Sequence, residues 1–255
     1  MKKRTDLQKE GPVVGILGGM GPEATLDLYR HIIELTPAKK DQDHIKVLIY
    51  SNPKIPDRTD AICEGGESPL PQLLHAVTLL EEAGAGIIAM PCNTAHHYIC
   101  EMQSHARIPI INMVEETAAV VRKDLPGIKG IGLLAMDGTL KSAVYHKALE
   151  PLGVRILIPE DAEQKRIQIA IARVKAGRCD SVTEEMFETA AKQLVDAGAR
   201  AVILGCTEIP LAFDPDAVGC ICLNPARILA QCAVDWARGK RSVPQPVKCS
   251  HPGRD

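Results

Sequence analysis

At 255 residues the chain is long enough for one large domain or two modest ones, and its 45% hydrophobic and 24% charged residues are those of a globular protein. A formal net charge of −2 supplies no basic excess to hold a nucleic acid or an anionic membrane, and no apolar run approaches the ~20 residues that span a bilayer. Residues 1–10 are charged with no apolar stretch behind them, so they are read as a short mobile lead-in rather than a secretory signal.

Short β-rich apolar runs alternate with stretches of helical spacing along the whole chain. A strand predicted over 13–17 leads into the turn Gly18, Gly19, Met20, Gly21 and then a helix whose Leu28, Ile32 and Leu35 share one face. A strand over 46–50 is followed by a loop stiffened by Pro53 and Pro56, which would hold Arg58 in place, and Leu73, Val77 and Leu80 mark the next helical face. A strand over 86–90 ends just before Cys92, and a strand over 108–112 follows. The second half offers strands over 130–134, 154–158, 201–204 and 219–223, with Met186, Ala190 and Leu194 on a helical face before Cys206. Such alternation predicts an α/β fold of parallel strands with crossover helices. The tail from Ser242 carries three prolines and a glycine and is expected to be flexible.

Four of these signals recur in the same order. Gly15 to Gly132 is a step of 117, Val47 to Ile156 one of 109, Ile111 to Leu223 one of 112, and Cys92 to Cys206 one of 114. Apolar strands look alike, so one match would mean little, but four in order point to duplication. The expected architecture is two similar α/β domains, each with a mostly parallel four-stranded sheet flanked by helices. Ligands bind outside the carboxyl ends of such strands. Cys92, Cys206, the Gly18 turn and the Asp137 turn all lie there, so two facing edges would form an interdomain cleft.

The nine cysteines are odd in number and contain no C-x-x-C pair, which points to a reducing cytoplasm and away from a zinc ribbon or thioredoxin-like motif. Most of them read as small buried hydrophobes. Cys92 and Cys206 differ, because the repeat places both just past a strand. Asn93 or Thr94 could cap a helix running through Tyr98, Ile99 and Met102, putting Cys92 at a helix N-terminus where the dipole favours thiolate; Thr207 could do the same after Cys206.

The Gly18 turn fits neither the dinucleotide nor the Walker pattern, and is read as a tight turn whose N–H groups can hold a carboxylate. Arg58 suits bidentate recognition of a carboxylate, or is an ordinary surface arginine on a turn. Lys175 is either a ligand group or a cation complementing the C-terminus of its helix. His96 and His97 follow Cys92 closely, as in a Cys-His hydrolase, but only one of the two could face the thiol, and such a histidine more often caps or packs. No metal site is read around them.

Gly18 through Thr25, Asn52 through Thr59, Met90 through His96, and Gly205 through Pro210 together resemble the aspartate/glutamate racemase family, over roughly residues 13–236. Gly138 and Thr139, with Ser142 and Tyr145, resemble that family's turn in its second domain. The cysteine motifs are shared by the wider superfamily of glutamate and hydantoin racemases, maleate isomerases and arylmalonate decarboxylases. The resemblance implies a cofactor-independent isomerase with two pseudo-symmetric domains, a homodimer, and a small dicarboxylic amino acid, aspartate or glutamate, held between Cys92 and Cys206. One thiolate would take the α-proton while the other thiol delivers a proton to the opposite face. By the same match Asn93, Thr94 and Ala95 would hold one carboxylate, Arg58 and Lys175 the other, and Met20, Thr139 and Thr207 would complete the site. No Schiff-base partner for pyridoxal phosphate is evident. The implied domains are 1–114 plus 224–255, closed by the C-terminal helix, and 115–223. One departure is Ile171, where family members often have a tyrosine four residues before the lysine. The alternatives are a maleate isomerase-like cis–trans isomerase with Cys92 as nucleophile, and a non-catalytic dicarboxylate-binding protein of the same fold.

Overall fold

The structure, a computed structural model, describes residues 11–242. The predicted mobile lead-in, the tail from residue 243 and Cys249 lie outside the described residues. The first half runs β1 (Val13–Gly18), α1 (Pro22–Leu35), β2 (Lys46–Ser51), α2 (Arg58–Cys63), α3 (Leu70–Ala83), β3 (Ile87–Ala89) and α4 (Ile99–His105). The second runs α5 (Met113–Asp124), β4 (Gly130–Leu134), α6 (Asp137–Ser142), α7 (Val144–Leu149), β5 (Arg155–Leu157), α8 (Asp161–Lys175), α9 (Ser181–Asp196), β6 (Ala201–Leu204) and β7 (Ile221–Leu223), and α10 (Pro225–Ala237) follows. Among the described residues no helix is long and apolar enough to cross a membrane.

The strands form two parallel sheets, ordered β2-β1-β3 and β5-β4-β6-β7. Both faces of each sheet are covered by helices, so the central strands are apolar throughout. In β1, Val14 and Ile16 face α1 and α10, where they meet Leu28, Ile32, Leu229 and Ala233. Leu17 faces the other way, toward Leu73, Val77 and Leu80 of α3. In the second sheet Ile131, Leu133, Ala201 and Ile203 pack on α5 and α7, while Leu134, Val202 and Leu204 pack on α8 and α9. Each such buried Leu or Ile contributes about 1.5–3 kcal/mol relative to exposure. The period of two in the strands and the helical faces predicted from spacing therefore meet in the same four cores.

The first sheet has three strands, not the expected four. The segment predicted as a strand over 108–112 is reduced to a parallel bridge between Ile88 and Ile110. Ile88 N–H donates to Pro109 O and Ile111 N–H to Ile88 O, but Pro109 has no N–H to extend a ladder. Asn112 then caps α5, its Oδ1 accepting from Val114 N–H and Glu115 N–H, and turns the chain away. β7 also starts later than expected, because Gly219 is left-handed at φ +68°. The duplication shows in the backbone: Gly84 and Gly198, paired by the repeat, both end a helix in the left-handed region, at φ +103° and +104°.

The two halves meet where α6 lies against α2 and the turn after β3. Gly138 allows this approach: a Cβ there would fall 2.8 Å from Thr94 Cγ2 and 2.9 Å from Thr59 Cα. The Thr59 Cα is backbone and cannot rotate away. We expect Gly138→Ala to lose about 1–3 kcal/mol of stability by overpacking, despite alanine's better helix propensity. Urea denaturation measures this, and an unchanged midpoint would show that the halves separate slightly at no cost.

Candidate active site

The carboxyl ends of β3 and β6 deliver Cys92 and Cys206 to one small cavity of about 20 Å³. The two residues are 6% and 7% exposed, so the sulfurs sit in a nearly closed space. Gly205 lets the second loop pass close to β4; its N–H donates to Leu134 O at 2.7 Å, and a Cβ would strike Leu133. Of the residues expected at the site, Met20, Arg58, Asn93, Thr94, Lys175 and Thr207 line this cavity with the two cysteines. Thr139 and Ala95 do not. Thr139 stands behind Thr94, with the two Oγ1 atoms 2.8 Å apart, and the Ala95 side chain is fully buried in the core beneath α3 and α4.

The capping expected at the cysteines is absent, for a specific reason. Asn93 has αR backbone angles, and its Oδ1 accepts a 2.5 Å hydrogen bond from the Tyr145 hydroxyl of the other half. It does not cap the 3₁₀ turn Thr94–Tyr98, which precedes α4. Its Nδ2 is left buried without a partner at the cavity wall. The first N–H groups of such a turn, those of Thr94 and Ala95, have no intrahelical acceptor. Thr207 does not cap either: its Oγ1 donates to Pro91 O at 3.3 Å and ties the two cysteine loops together. Burial, and then the charge of Glu208, push the Cys206 thiol well above its ordinary value, the reverse of a dipole-activated thiolate.

The cationic side is built from the loop before α2. Asp57 Oδ1 caps α2 by accepting from Thr59 N–H and Asp60 N–H, which sets Arg58 at the first helical position. Arg58 Nη1 donates to the carbonyls of Ile55 and Pro56, at 3.2 and 3.0 Å, so its own proline loop holds it as expected. Its Nε is buried with no partner. Lys175, the last residue of α8, reaches the cavity at an exposed rim. Burial disfavours its ammonium, but the negative charges of Glu208 and Asp57, and of either cysteine whenever it ionises, outweigh it and leave its pKa raised. Ile171, four residues earlier, is fully buried in the core between α8 and the second sheet and does not line the cavity.

The turn at Gly18 is a scaffold rather than an anion cradle at Gly19. Gly19 N–H donates to Thr25 Oγ1, which in turn donates to Gly21 O, both at 2.8 Å. Gly19 lies at φ +94°, and a Cβ would fall 2.3 Å from the Asn52 backbone. The turn thereby presents Met20 to the cavity.

The sequence profile of the Asp/Glu/Hydantoin racemase family matches residues 17–233. The chain belongs to this family. The broad specificity amino-acid racemase RacX of Bacillus subtilis is 30% identical over 207 residues, covering 79% of this chain and 88% of that protein. The solved structure of Picrophilus torridus aspartate racemase is 30% identical, with a TM-score of 0.79 over 90% of this chain and 95% of that one. A glutamate racemase from Francisella tularensis in complex with D-glutamate is 14% identical, covers 91% of this chain and 82% of that one, and at a TM-score of 0.68 shares the fold.

Several residues around this cavity have no role assigned from the sequence. Asp57, Thr59, Met136 and Glu208 also line the cavity, and the Tyr145 hydroxyl orients Asn93. Glu208 carried a signal: a step of 114 pairs it with Thr94, a charged residue against a neutral one inside the repeat. The cysteines also depart from expectation. Among the described ones Cys92, Cys206 and Cys232 are buried, Cys63, Cys100, Cys220 and Cys222 are half-buried, and Cys179 is exposed.

His96 faces the backbone of Cys92, not its thiol. Its Nδ1 lies 2.8 Å from Cys92 O, and its Nε2 accepts from Met113 N–H at 3.1 Å. An accepting Nε2 requires the proton on Nδ1, which fixes the neutral tautomer. Complete burial lowers its pKa from 6.5 to about 4. On acidification the unfolded chain takes up this proton first, so the stability held above pH 6.5 is lost as pH falls through about 4, by roughly 3 kcal/mol. We expect His96→Gln to flatten the pH dependence of the urea midpoint between pH 7 and 4.5. Equal slopes in the two proteins would remove His96 from that role.

Proposed function

We propose that the protein is a cofactor-independent amino-acid racemase that interconverts the enantiomers of aspartate, glutamate or both by a two-base mechanism. The observation that carries this reading is that two thiols, matched by an internal repeat, line one cavity with Arg58, Lys175 and the unpartnered amide of Asn93. A thiolate at one cysteine removes the α-proton, and the thiol at the other protonates the opposite face; the roles exchange with direction. An amino-acid α-carbon is a weak acid, so charge building on the α-carboxylate in the transition state has to be met by fixed donors. The Asn93 Nδ2 and the N–H groups of Thr94 and Ala95 suit that task. Arg58 and Lys175 suit the second carboxylate, and the burial of both cysteines favours exclusion of water at the reacting carbon.

In this reading the protein acts in the cytoplasm, as the homodimer that the resemblance implies. The reading also includes a division into 1–114 with 224–255, and 115–223. That division is supported by α10, which packs on α1 and the first sheet although it follows the second in sequence.

Chiral analysis of each enantiomer of aspartate and glutamate, incubated with reduced protein in D₂O, is expected to show racemisation with deuterium gained at Cα. Neutral and basic amino acids belong in the same panel, given the name of the Bacillus subtilis relative. Cys92→Ala and Cys206→Ala should each lower the rate by about 10²–10⁴-fold. Undiminished racemisation in either variant would sink the two-base scheme. Arg58→Ala should act mainly through KM for dicarboxylic substrates, which steady-state kinetics would separate from kcat.

A further inference from the structure

The repeat that pairs Cys92 with Cys206 also pairs Thr94 with Glu208, and there the two halves of the site differ in charge. The Thr94 hydroxyl meets a neutral partner, Thr139. Glu208 is 2% exposed and puts a carboxylate against sulfur: its Oε2 accepts from Cys206 Sγ at 3.0 Å and lies 3.3 Å from Thr207 Oγ1, whose single proton it shares with Pro91 O. Among the described residues no carboxylate hydrogen-bonds the Cys92 thiol. The second oxygen, Oε1, is buried with no partner and faces Gly21, where a Cβ would come within 3.2 Å of it.

We propose that Glu208 holds Cys206 as the protonated thiol in the resting site, so that Cys206 begins as the proton donor and Cys92 as the acceptor. A thiolate at Cys206 would lie against a buried carboxylate of the same sign, while the thiol satisfies one of that carboxylate's lone pairs. The other charged groups around the pair are Lys175 from α8, which opposes Glu208, and Asp57 and Arg58 from the loop before α2. The consequence for turnover rests on the racemase reading; the state of the thiol does not. In that reading the Cα–H bond breaks and its proton passes to the Cys92 thiolate. The Cys206 S–H bond breaks as its proton passes to the opposite face of Cα. Cys92 has then gained a proton and Cys206 has lost one. Repulsion from Glu208 raises the proton affinity of the Cys206 thiolate, which favours return to the starting form. The pseudo-symmetric site therefore has two free forms of unequal energy, and the resting one is set for a single enantiomer.

The test begins on substrate-free protein, with iodoacetamide alkylation of Cys206 followed by peptide mass spectrometry from pH 6 to 10. The exposed Cys179 serves as the reagent reference. Glu208→Gln, which removes the charge and keeps the shape, should raise the Cys206 rate about tenfold at pH 8 and move its pH curve down by about one unit. Glu208→Asp, which keeps the charge, should leave alkylation slow. A Cys206 rate in Glu208→Gln within twofold of the parent overturns the proposal, as does an equal rise in both variants. In racemisation assays Glu208→Gln should shift the alkaline limb of the pH profile for one starting enantiomer only; equal shifts for both overturn the asymmetry. A moved alkylation curve in a protein that racemises nothing would uphold the thiol assignment and refute the racemase reading.

Discussion

The Tyr145 hydroxyl crosses from one half of the molecule to the other to reach Asn93 Oδ1, and the arrangement of the site depends on that bond. Tyr145 is fully buried beside α5 and the second sheet, and burial pushes its phenol far above its ordinary titration range, so it stays a neutral donor. By occupying Asn93 Oδ1 it prevents Asn93 from capping its own turn and leaves Nδ2 at the cavity wall. Thr207 to Pro91 and Thr94 to Thr139 add two further buried links across the same junction. These bonds fix direction at the junction in a way that apolar packing, which is not directional, does not.

The same junction concentrates unmet hydrogen-bonding capacity. Arg58 Nε, Asn93 Nδ2 and Glu208 Oε1 are all buried without partners, and all belong to residues lining one cavity. An unsatisfied buried polar group costs about 1–3 kcal/mol. Four apolar cores bear that cost, and a ligand with matching donors and acceptors would relieve it. Arg58 shows how the cost is kept within limits: its Nη1 is tied to two loop carbonyls, so one edge of the guanidinium is fixed while the Nε side stays open.

Much of this was legible in the sequence, because it followed from local rules. Periodicity located the central strands and the faces of α1, α3 and α9, and the 114-residue step brought Cys92 and Cys206 together before any fold was assumed. Local rules failed where partners come from far along the chain. Asn93 looks like a helix cap until Tyr145, 52 residues away, takes its oxygen. The segment around Pro109 has a strand's composition, but Pro109 cannot donate to a neighbour. At the Gly18 turn, one of the N–H groups that the sequence offers to an anion, that of Gly19, is taken by Thr25. Lys175 was legible through family resemblance more than spacing, and Ile171 proved to belong to the core rather than the cavity wall.

The position of α10 has a consequence for the order in which the molecule is made. Val14, Ile16, Leu28 and Ile32, near the start of the chain, are covered in part by Leu229, Ala230 and Ala233, near its end. During synthesis the second sheet and its helices can leave the ribosome and close their own cores while one face of the first sheet is covered by α1 alone. The rest of that apolar face stays uncovered until α10 emerges, so the half translated first is the one that carries exposed apolar surface longest.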